Sequence, residues 1–231
     1  MIKLAVIGDG KMGRAVASLA PEHGFDVVAL LGEGDVLPRG LTKALLHGAE
    51  MAIEFTVPGA AGANVRACAA AGCAVVSGTT GWDAERAETE AFVRAQDGAM
   101  LWAPNFSLGV HVFARIAEYA TRLVARANAG FDAHMVETHH KAKLDAPSGT
   151  ARMLAARAGA ALGRDIDVTS VRTGSVPGTH ELLFDAPFEQ IRLEHVARDR
   201  RVFAAGALTA ARWLHGKHGV FTLDQVLGDD T

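Results

Sequence analysis

The sequence predicts an α/β protein: a Rossmann-type doubly wound parallel sheet, followed by a second domain of the α+β type built on a mixed sheet. Three observations carry this. The apolar run Ile2 to Ile7 stops at Gly8-Asp9-Gly10-Lys11-Met12-Gly13, a G-x-G-x-x-G loop between a strand and a helix, the context that separates a dinucleotide fingerprint from chance. Strand and helix patterns then alternate as far as Trp102, as crossover helices on a parallel sheet require. Beyond a long amphipathic helix from Leu108 to about Asn128, strand signals dominate, which points to a mixed sheet.

The elements follow in order. Gly8 suits a tight turn, Gly10 a close approach of backbone to a pyrophosphate, and Gly13 the packing of the next helix on the strand. That helix runs from Lys11 to about Ala20, where Pro21 ends or kinks it. A second strand, Asp26 to Leu31, leads into Gly32-Glu33-Gly34-Asp35, placing Glu33 about twenty residues past the glycine loop, where an acid accepts from adenosine ribose hydroxyls. Its carboxylate would repel a 2′-phosphate. Arg39 is the nearest cation downstream, so the pattern favours NADH over NADPH, with Lys11 and Arg14 as possible compensating charges.

Met51 to Phe55 reads as a third strand ending at Thr56-Val57-Pro58, Ala60 to Ala71 as a small-residue helix and Cys73 to Val76 as a fourth strand. The fourth strand ends in Ser77-Gly78-Thr79-Thr80-Gly81, after which Asp83 is expected to cap a charged helix to about Gln96. Met100 to Trp102 is a fifth strand, ending in Ala103-Pro104-Asn105-Phe106-Ser107. Ligands of such sheets lie along the carboxyl ends of the strands, where all these loops emerge.

In the second half, Phe131 to Glu137, Val168 to Arg172, Glu181 to Phe184 and Gln190 to His195 read as strands. Phe203 to His215 reads as an alanine-rich helix whose apolar positions recur at helical spacing, so it needs a partner surface. The boundaries expected are residues 1–107 with 206–231 for the nucleotide-binding domain and 108–205 for a substrate-binding and oligomerisation domain. Hinges are expected near Phe106 to Leu108 and Ala205 to Ala207.

Glu137 to Ala151, E-T-H-H-K-A-K-L-D-A-P-S-G-T-A, is the most informative segment. A strand delivers His139 and His140 to its end, and Lys141 and Lys143 follow. The chain then turns at Asp145-Ala-Pro147, with Ser148 or Asp145 as cap of a helix to about Leu162. Backbone N–H groups at Gly149 and Thr150, a positive dipole end and nearby ammonium charge make a carboxylate or phosphate pocket. Titratable histidines beside an anion cradle suit acid chemistry on a negatively charged substrate.

Composition excludes several classes. With 49% hydrophobic residues and a net charge of −3, the chain reads as an ordinary globular protein. Its basic residues are dispersed and it carries no nucleic-acid-binding signature. Cys68 and Cys73 have neither metal-ligand nor C-x-x-C spacing and read as buried thiols. His180 and His195 read as structural, or as supports behind the site rather than catalytic groups, outside any metal-ligand cluster, and no metal is expected. No leader or apolar run approaching the roughly twenty residues of a membrane span is present, so a cytoplasmic location is expected.

The glycine loop, Gly78-Thr-Thr-Gly81, Ala103-Pro-Asn-Phe-Ser107 and above all Glu137 to Ala151 resemble the motifs of the 4-hydroxy-tetrahydrodipicolinate reductase (dihydrodipicolinate reductase) family, in order and from Ile2 to about Leu227. The resemblance implies reduction of a cyclic unsaturated imine dicarboxylate with NADH or NADPH in lysine and diaminopimelate synthesis. It implies His139 as proton donor/acceptor, Lys143 as proton donor, His140 as a substrate contact, and Gly149 with Thr150 as the carboxylate cradle. Gly8, Asp9, Gly10, Lys11, Met12, Gly13 and Glu33 would bind the dinucleotide. Gly78, Thr79, Thr80, Ala103, Pro104, Asn105 and Phe106 would line the nicotinamide. A homotetramer built through the second domain's sheet is also implied.

Three features depart from the family pattern: the glycine loop is one residue shorter than in many relatives, Gly32-Glu33 stands where an acid followed by arginine is common, and a stretch before His180 is missing. Two rival functions fit less well. An aspartate dehydrogenase-like enzyme has no use for the Lys143 to Thr150 cradle, and a non-catalytic nucleotide-binding regulator has no need of His139 and Lys143.

Overall fold

A computed structural model of the chain describes residues 1–37 and 39–228. Pro38 and residues 229–231, which belong to the expected nucleotide domain, lie outside the described residues. The chain forms two compact units, Met1–Phe106 with Arg201–Thr231, and Ser107–Arg200.

The first unit follows the alternation in the sequence: β1 (Ile2–Ile7), α1 (Lys11–Leu19), β2 (Phe25–Leu31), α2 (Glu33–Val36), β3 (Met51–Glu54), α3 (Pro58–Ala70), β4 (Ala74–Ser77), α4 (Asp83–Ala95) and β5 (Ala99–Trp102). Pro21 opens a 3₁₀ turn, Pro21–His23, and Gly24 closes it in the left-handed region at φ 79°. With β10 (Gly219–Phe221) from the tail of the chain, the strands form a six-stranded parallel sheet in the order β10-β5-β4-β3-β1-β2. β1 and β3 are neighbours while β2 lies on the other side of β1. The chain therefore winds outward in two directions, and the loops after β1 and β3 diverge at the switch point, where such sheets take their ligands.

β1 and β3 are apolar almost throughout because helices cover both faces of a parallel sheet. Leu4, Val6, Met51 and Ile53 are fully buried, and one side of the core gathers Ile7, Leu31, Val65, Val75, Trp82 and Met100. Two details differ from the sequence reading. Asp83 does not cap α4: Trp82 holds that position without a side-chain bond, and Asp83 pairs with Arg86 at 2.7 Å. The tail also contributes a strand, β10 (Gly219–Phe221), parallel to β5.

The second unit contains α5 (Leu108–Ala127), β6 (Asp132–His139), α6 (Gly149–Leu162), β7 (Asp167–Arg172), β8 (Gly178–Ala186) and β9 (Glu189–Ala197). The chain returns to the first unit at Arg201, so all of α7 (Arg201–Leu214) belongs there, followed by β10 and α8 (Leu223–Val226). The four strands form the expected mixed sheet, ordered β7-β6-β8-β9, with β6 parallel to β7 and antiparallel pairing elsewhere. Alternation along β6 buries Ala133, Met135, Glu137 and His139 on one face, as period two dictates. Phe113, Ala117, Leu154, Ala158, Leu182 and Phe184 pack with that face.

Candidate functional site

β6 is the central rail of the site in the second unit. His139 is its last residue and His140 lies just beyond. Turning on a bond from the N–H of Lys143 to the carbonyl of His140 (3.0 Å), the chain presents the Lys143 ammonium to Asp145 at 2.7 Å. That ammonium holds the Asp145 carboxyl below the ordinary carboxylate range. Of the two candidate caps, Ser148 serves: its hydroxyl accepts from the N–H of Ala151 at 3.1 Å. Gly149 and Thr150 therefore form the first turn of α6, at the positive end of its dipole. Open space surrounds the position a Gly149 side chain would take.

Sheet pairing adds residues that the local sequence did not single out. Glu137 lies opposite Ser170 of β7 and His180 of β8, and His180 lies opposite His195 of β9. Arg172 of β7 lies opposite His139. The Glu137 side chain is fully buried; one oxygen takes the Arg172 guanidinium at 2.6 Å, and the other lies 2.5 Å from His139 Nδ1. Burial pushes its carboxyl up, but the neighbouring Ser170 hydroxyl and the hydrogen bonds from Arg172 and Ser148 outweigh this and bring it down to about 2.

For His139, burial lowers the imidazole pKa, Glu137 opposes that, and Lys143 and Arg172 add to it. His180 is 4% exposed and is pushed down to about 4, first by burial and then by His139. The rings of His139 and His180 meet edge-on at 5.3 Å, and those of His180 and His195 lie tilted at 35° with centroids 6.5 Å apart.

His180 thus stands inside a group that the sequence reading kept it out of. Glu137, His139 and His180 each bring a donor atom within 4.8 Å of the others. The guanidinium on Glu137 and the ammonium of Lys143 add positive charge that disfavours a divalent cation there, so no metal is assigned. Gly178 is part of the same arrangement. At φ 159° it abuts the His139 ring, and a Cβ there would stand 3.1 Å from Nε2.

In the first unit the glycine loop has the geometry its spacing implies. Gly8 adopts φ 103°, with the Phe55 carbonyl 2.0 Å from where a Cβ would sit, and a Cβ on Gly13 would lie 1.7 Å from the Gly8 carbonyl. Gly10 has open space instead, the gap a pyrophosphate needs at the start of α1. Asp9, Lys11 and Met12 complete the loop, with Arg14 drawn back to the Asp9 carbonyl (2.6 Å) and carboxylate (3.4 Å). Glu33 is exposed as the first residue of α2, while Asp35 folds back to accept from Gly32 N at 2.8 Å.

The Gly78-Thr79-Thr80 loop is anchored by a residue the sequence reading passed over. Glu54, fully buried at the end of β3, accepts from Ser77 Oγ (2.6 Å), Thr79 Oγ1 (2.8 Å), Thr56 N (3.0 Å) and the Thr56 hydroxyl. Trp82 and Trp102 both donate their indole N–H to the Thr79 carbonyl, at 2.8 and 3.0 Å, so Trp82 braces this loop. Ala103, Pro104, Asn105 and Phe106 leave β5 beside it. The Ala103 N–H donates to Ser77 O at 3.3 Å, and Phe106 packs edge-on to Phe55 at 6.0 Å.

Comparison with known proteins agrees with this geometry. Residues 2–106 match the family model for the dihydrodipicolinate reductase N-terminus, and residues 109–227 match that for its C-terminus. The 4-hydroxy-tetrahydrodipicolinate reductase of Rhodopseudomonas palustris (strain BisB5) is 38% identical over 269 residues, covering 98% of this chain and 97% of the relative. That of Laribacter hongkongensis (strain HLHK9) is 34% identical over 266 residues, covering 98% of each. Among solved structures, dipicolinate-bound dihydrodipicolinate reductase from Paenisporosarcina sp. TG-14 shares the fold with a TM-score of 0.75 at 22% identity, over 97% of this chain and 98% of that one. With both halves matched and full-length relatives above 30% identity, the chain belongs to the dihydrodipicolinate reductase family.

Proposed function

We propose that the protein reduces 4-hydroxy-tetrahydrodipicolinate to tetrahydrodipicolinate, consuming one NADH or NADPH and one proton and releasing water, in the diaminopimelate route to lysine. The observation that carries this is the grouping of His139, Lys143 and the α6 start at Gly149 and Thr150 at one end of β6, in a chain whose full-length relatives bear that enzyme's name. His140 stands beside them as a substrate contact.

A reduced nicotinamide, when bound, supplies the hydride. The protein's own residues hold the dicarboxylate and deliver a proton. Gly149 and Thr150 offer a helix start to one carboxylate. The Lys143 ammonium, held by Asp145, supplies positive charge where electron density builds on the ring nitrogen. His139 exchanges a proton, since its ordinary range lies near neutrality.

The glycine loop and the space at Gly10 fit a dinucleotide pyrophosphate, and the braced Gly78 to Thr80 loop with Ala103 to Phe106 fits a nicotinamide edge. NADH is the preferred cofactor. Glu33 is joined near the end of β2 by Asp9, whose carboxylate packs against Gly32, and Arg14 is engaged by Asp9. These carboxylates oppose a 2′-phosphate.

The same reading places the enzyme in the cytoplasm as a homotetramer joined through the four-stranded sheet. It is supported by the exposed apolar side chains Val171, Ile191 and Val196 on the edge strands β7 and β9. No helix among the described residues is long and apolar enough to cross a membrane. Initial rates of NADH and NADPH oxidation, with substrate generated in situ by the preceding synthase, test the proposal. Substrate-dependent turnover with a lower KM for NADH supports both parts, and no turnover from protein that still binds NADH refutes the reductase.

A further inference from the structure

Glu137 makes no contact that the proposed reaction requires, yet it is fully buried beside the proton carrier. Withdrawing a carboxylate from water costs several kcal/mol unless its oxygens are satisfied, and here the two oxygens are divided. Oε1 receives Arg172 Nη2 at 2.6 Å and the backbone N–H of Ser148 at 3.2 Å. Oε2 lies 2.5 Å from His139 Nδ1, an ion-pair contact off hydrogen-bond geometry, and neither atom has a hydrogen-bond partner elsewhere among the described residues. A charge partner for Arg172 would need only the first half of this arrangement.

The strand geometry explains the reach. Residues i and i+2 of β6 share a face, so a carboxylate at 137 meets an imidazole at 139. Arg172, opposite His139 in the parallel ladder and donating also to the Asp145 carbonyl at 2.6 Å, keeps the carboxylate from turning away. An imidazole whose Nδ1 faces a carboxylate carries its proton on that nitrogen and presents Nε2 as the acceptor.

We propose that Glu137 is a positioning residue: it fixes the His139 tautomer with the proton on Nδ1, leaving Nε2 for proton exchange, and through the Ser148 N–H it sets the carboxylate cradle in register with that imidazole. This rests on the reductase reading only for the use of His139 in the reaction; the tautomer is a property of the protein alone. Removing the negative charge leaves burial, Lys143 and Arg172 all acting against a protonated ring, with His180, largely neutral above about pH 4, alongside. The ring then loses its proton at lower pH.

Long-range ¹H–¹⁵N spectra of the full chain with labelled histidine test this, with the His139 signals identified by their loss in His139→Gln. In the unaltered protein the neutral ring is expected to show Nδ1 protonated and Nε2 unprotonated. In Glu137→Gln the two nitrogens should shift towards a mixture of tautomers, kcat should fall roughly 10- to 100-fold, KM for NADH should stay unchanged, and the alkaline limb of the rate profile should move to lower pH. A proton on Nε2 in the unaltered protein would overturn the proposal, even if the variant fails to fold. So would a variant whose kcat falls while the ring signals and the pH limb stay in place, since that is a purely structural loss. Lack of turnover in the unaltered protein would instead refute the reductase reading, and the ring signals would still decide the tautomer.

Discussion

Lowering the pH should destabilise the second unit through His180. Its ring is 4% exposed, packed between His139 and His195, and pushed from 6.5 to about 4. Because the folded pKa lies below the unfolded one, the unfolded chain takes up a proton that the folded chain refuses as pH falls from 6.5 towards 4. Stability is therefore complete above 6.5 and declines below it, at about 1.4 kcal/mol per pH unit. The full decline is about 3 kcal/mol, and about 2 kcal/mol of it is reached by pH 5. His180→Phe keeps an aromatic ring in the slot but has nothing to protonate. Urea unfolding followed by far-UV circular dichroism at pH 7 and pH 5 should therefore cost the unaltered protein about 2 kcal/mol more than the variant. Trp82, Trp102 and Trp213 all lie in the first unit, so tryptophan fluorescence is the wrong probe. His139, His195 and Glu137 are common to both proteins, so the difference reports chiefly on His180. Parallel pH dependence in the two proteins would refute the reasoning.

Three further outcomes follow from the geometry. Lys143→Ala should reduce kcat at least 100-fold, a figure on the order of one positioned acid, while NADH affinity measured by fluorescence titration stays within about twofold; equal turnover would remove Lys143 from the mechanism. Gly13→Ala places a Cβ 1.7 Å from the Gly8 carbonyl, so NADH binding should weaken by more than tenfold in the same titration, whereas the substrate unit keeps its dichroism signal. Glu54→Leu strands the Ser77 and Thr79 hydroxyl protons, while the Thr56 N–H keeps Thr79 Oγ1 at 2.8 Å, at a cost of roughly 3 kcal/mol, measurable by tryptophan fluorescence in urea because Trp82 and Trp102 hold the same loop.

The parallel sheet was legible because its strands are short apolar runs set off by glycine, and because Gly8, Gly10 and Gly13 fix a strand-turn-helix. The candidate site was legible where it is local: His139, Lys143, Ser148 and Gly149 fall within one short stretch. It was illegible where sheet pairing assembles it. Nothing near Arg172 or His180 in sequence announces that β7 and β8 will flank β6 and bring both to Glu137, and Glu137 itself reads as one more residue of a strand. Glu54 was missed for the same reason: its partners, Ser77 and Thr79, arrive from the next strand. β10 escaped because three half-buried residues that begin with a glycine carry too little periodicity, and pairing with β5 decides their state. Asp83 suggested a cap by residue type, but it lies one position inside the helix and reaches Arg86 instead.

The most direct test of the account is the initial rate of NADH oxidation by the full chain with substrate supplied by the preceding synthase, measured beside Lys143→Ala. Rapid, substrate-dependent oxidation that the substitution abolishes, with NADH binding retained, is the expected result. No oxidation of NADH or NADPH by unaltered protein that binds NADH would contradict the account.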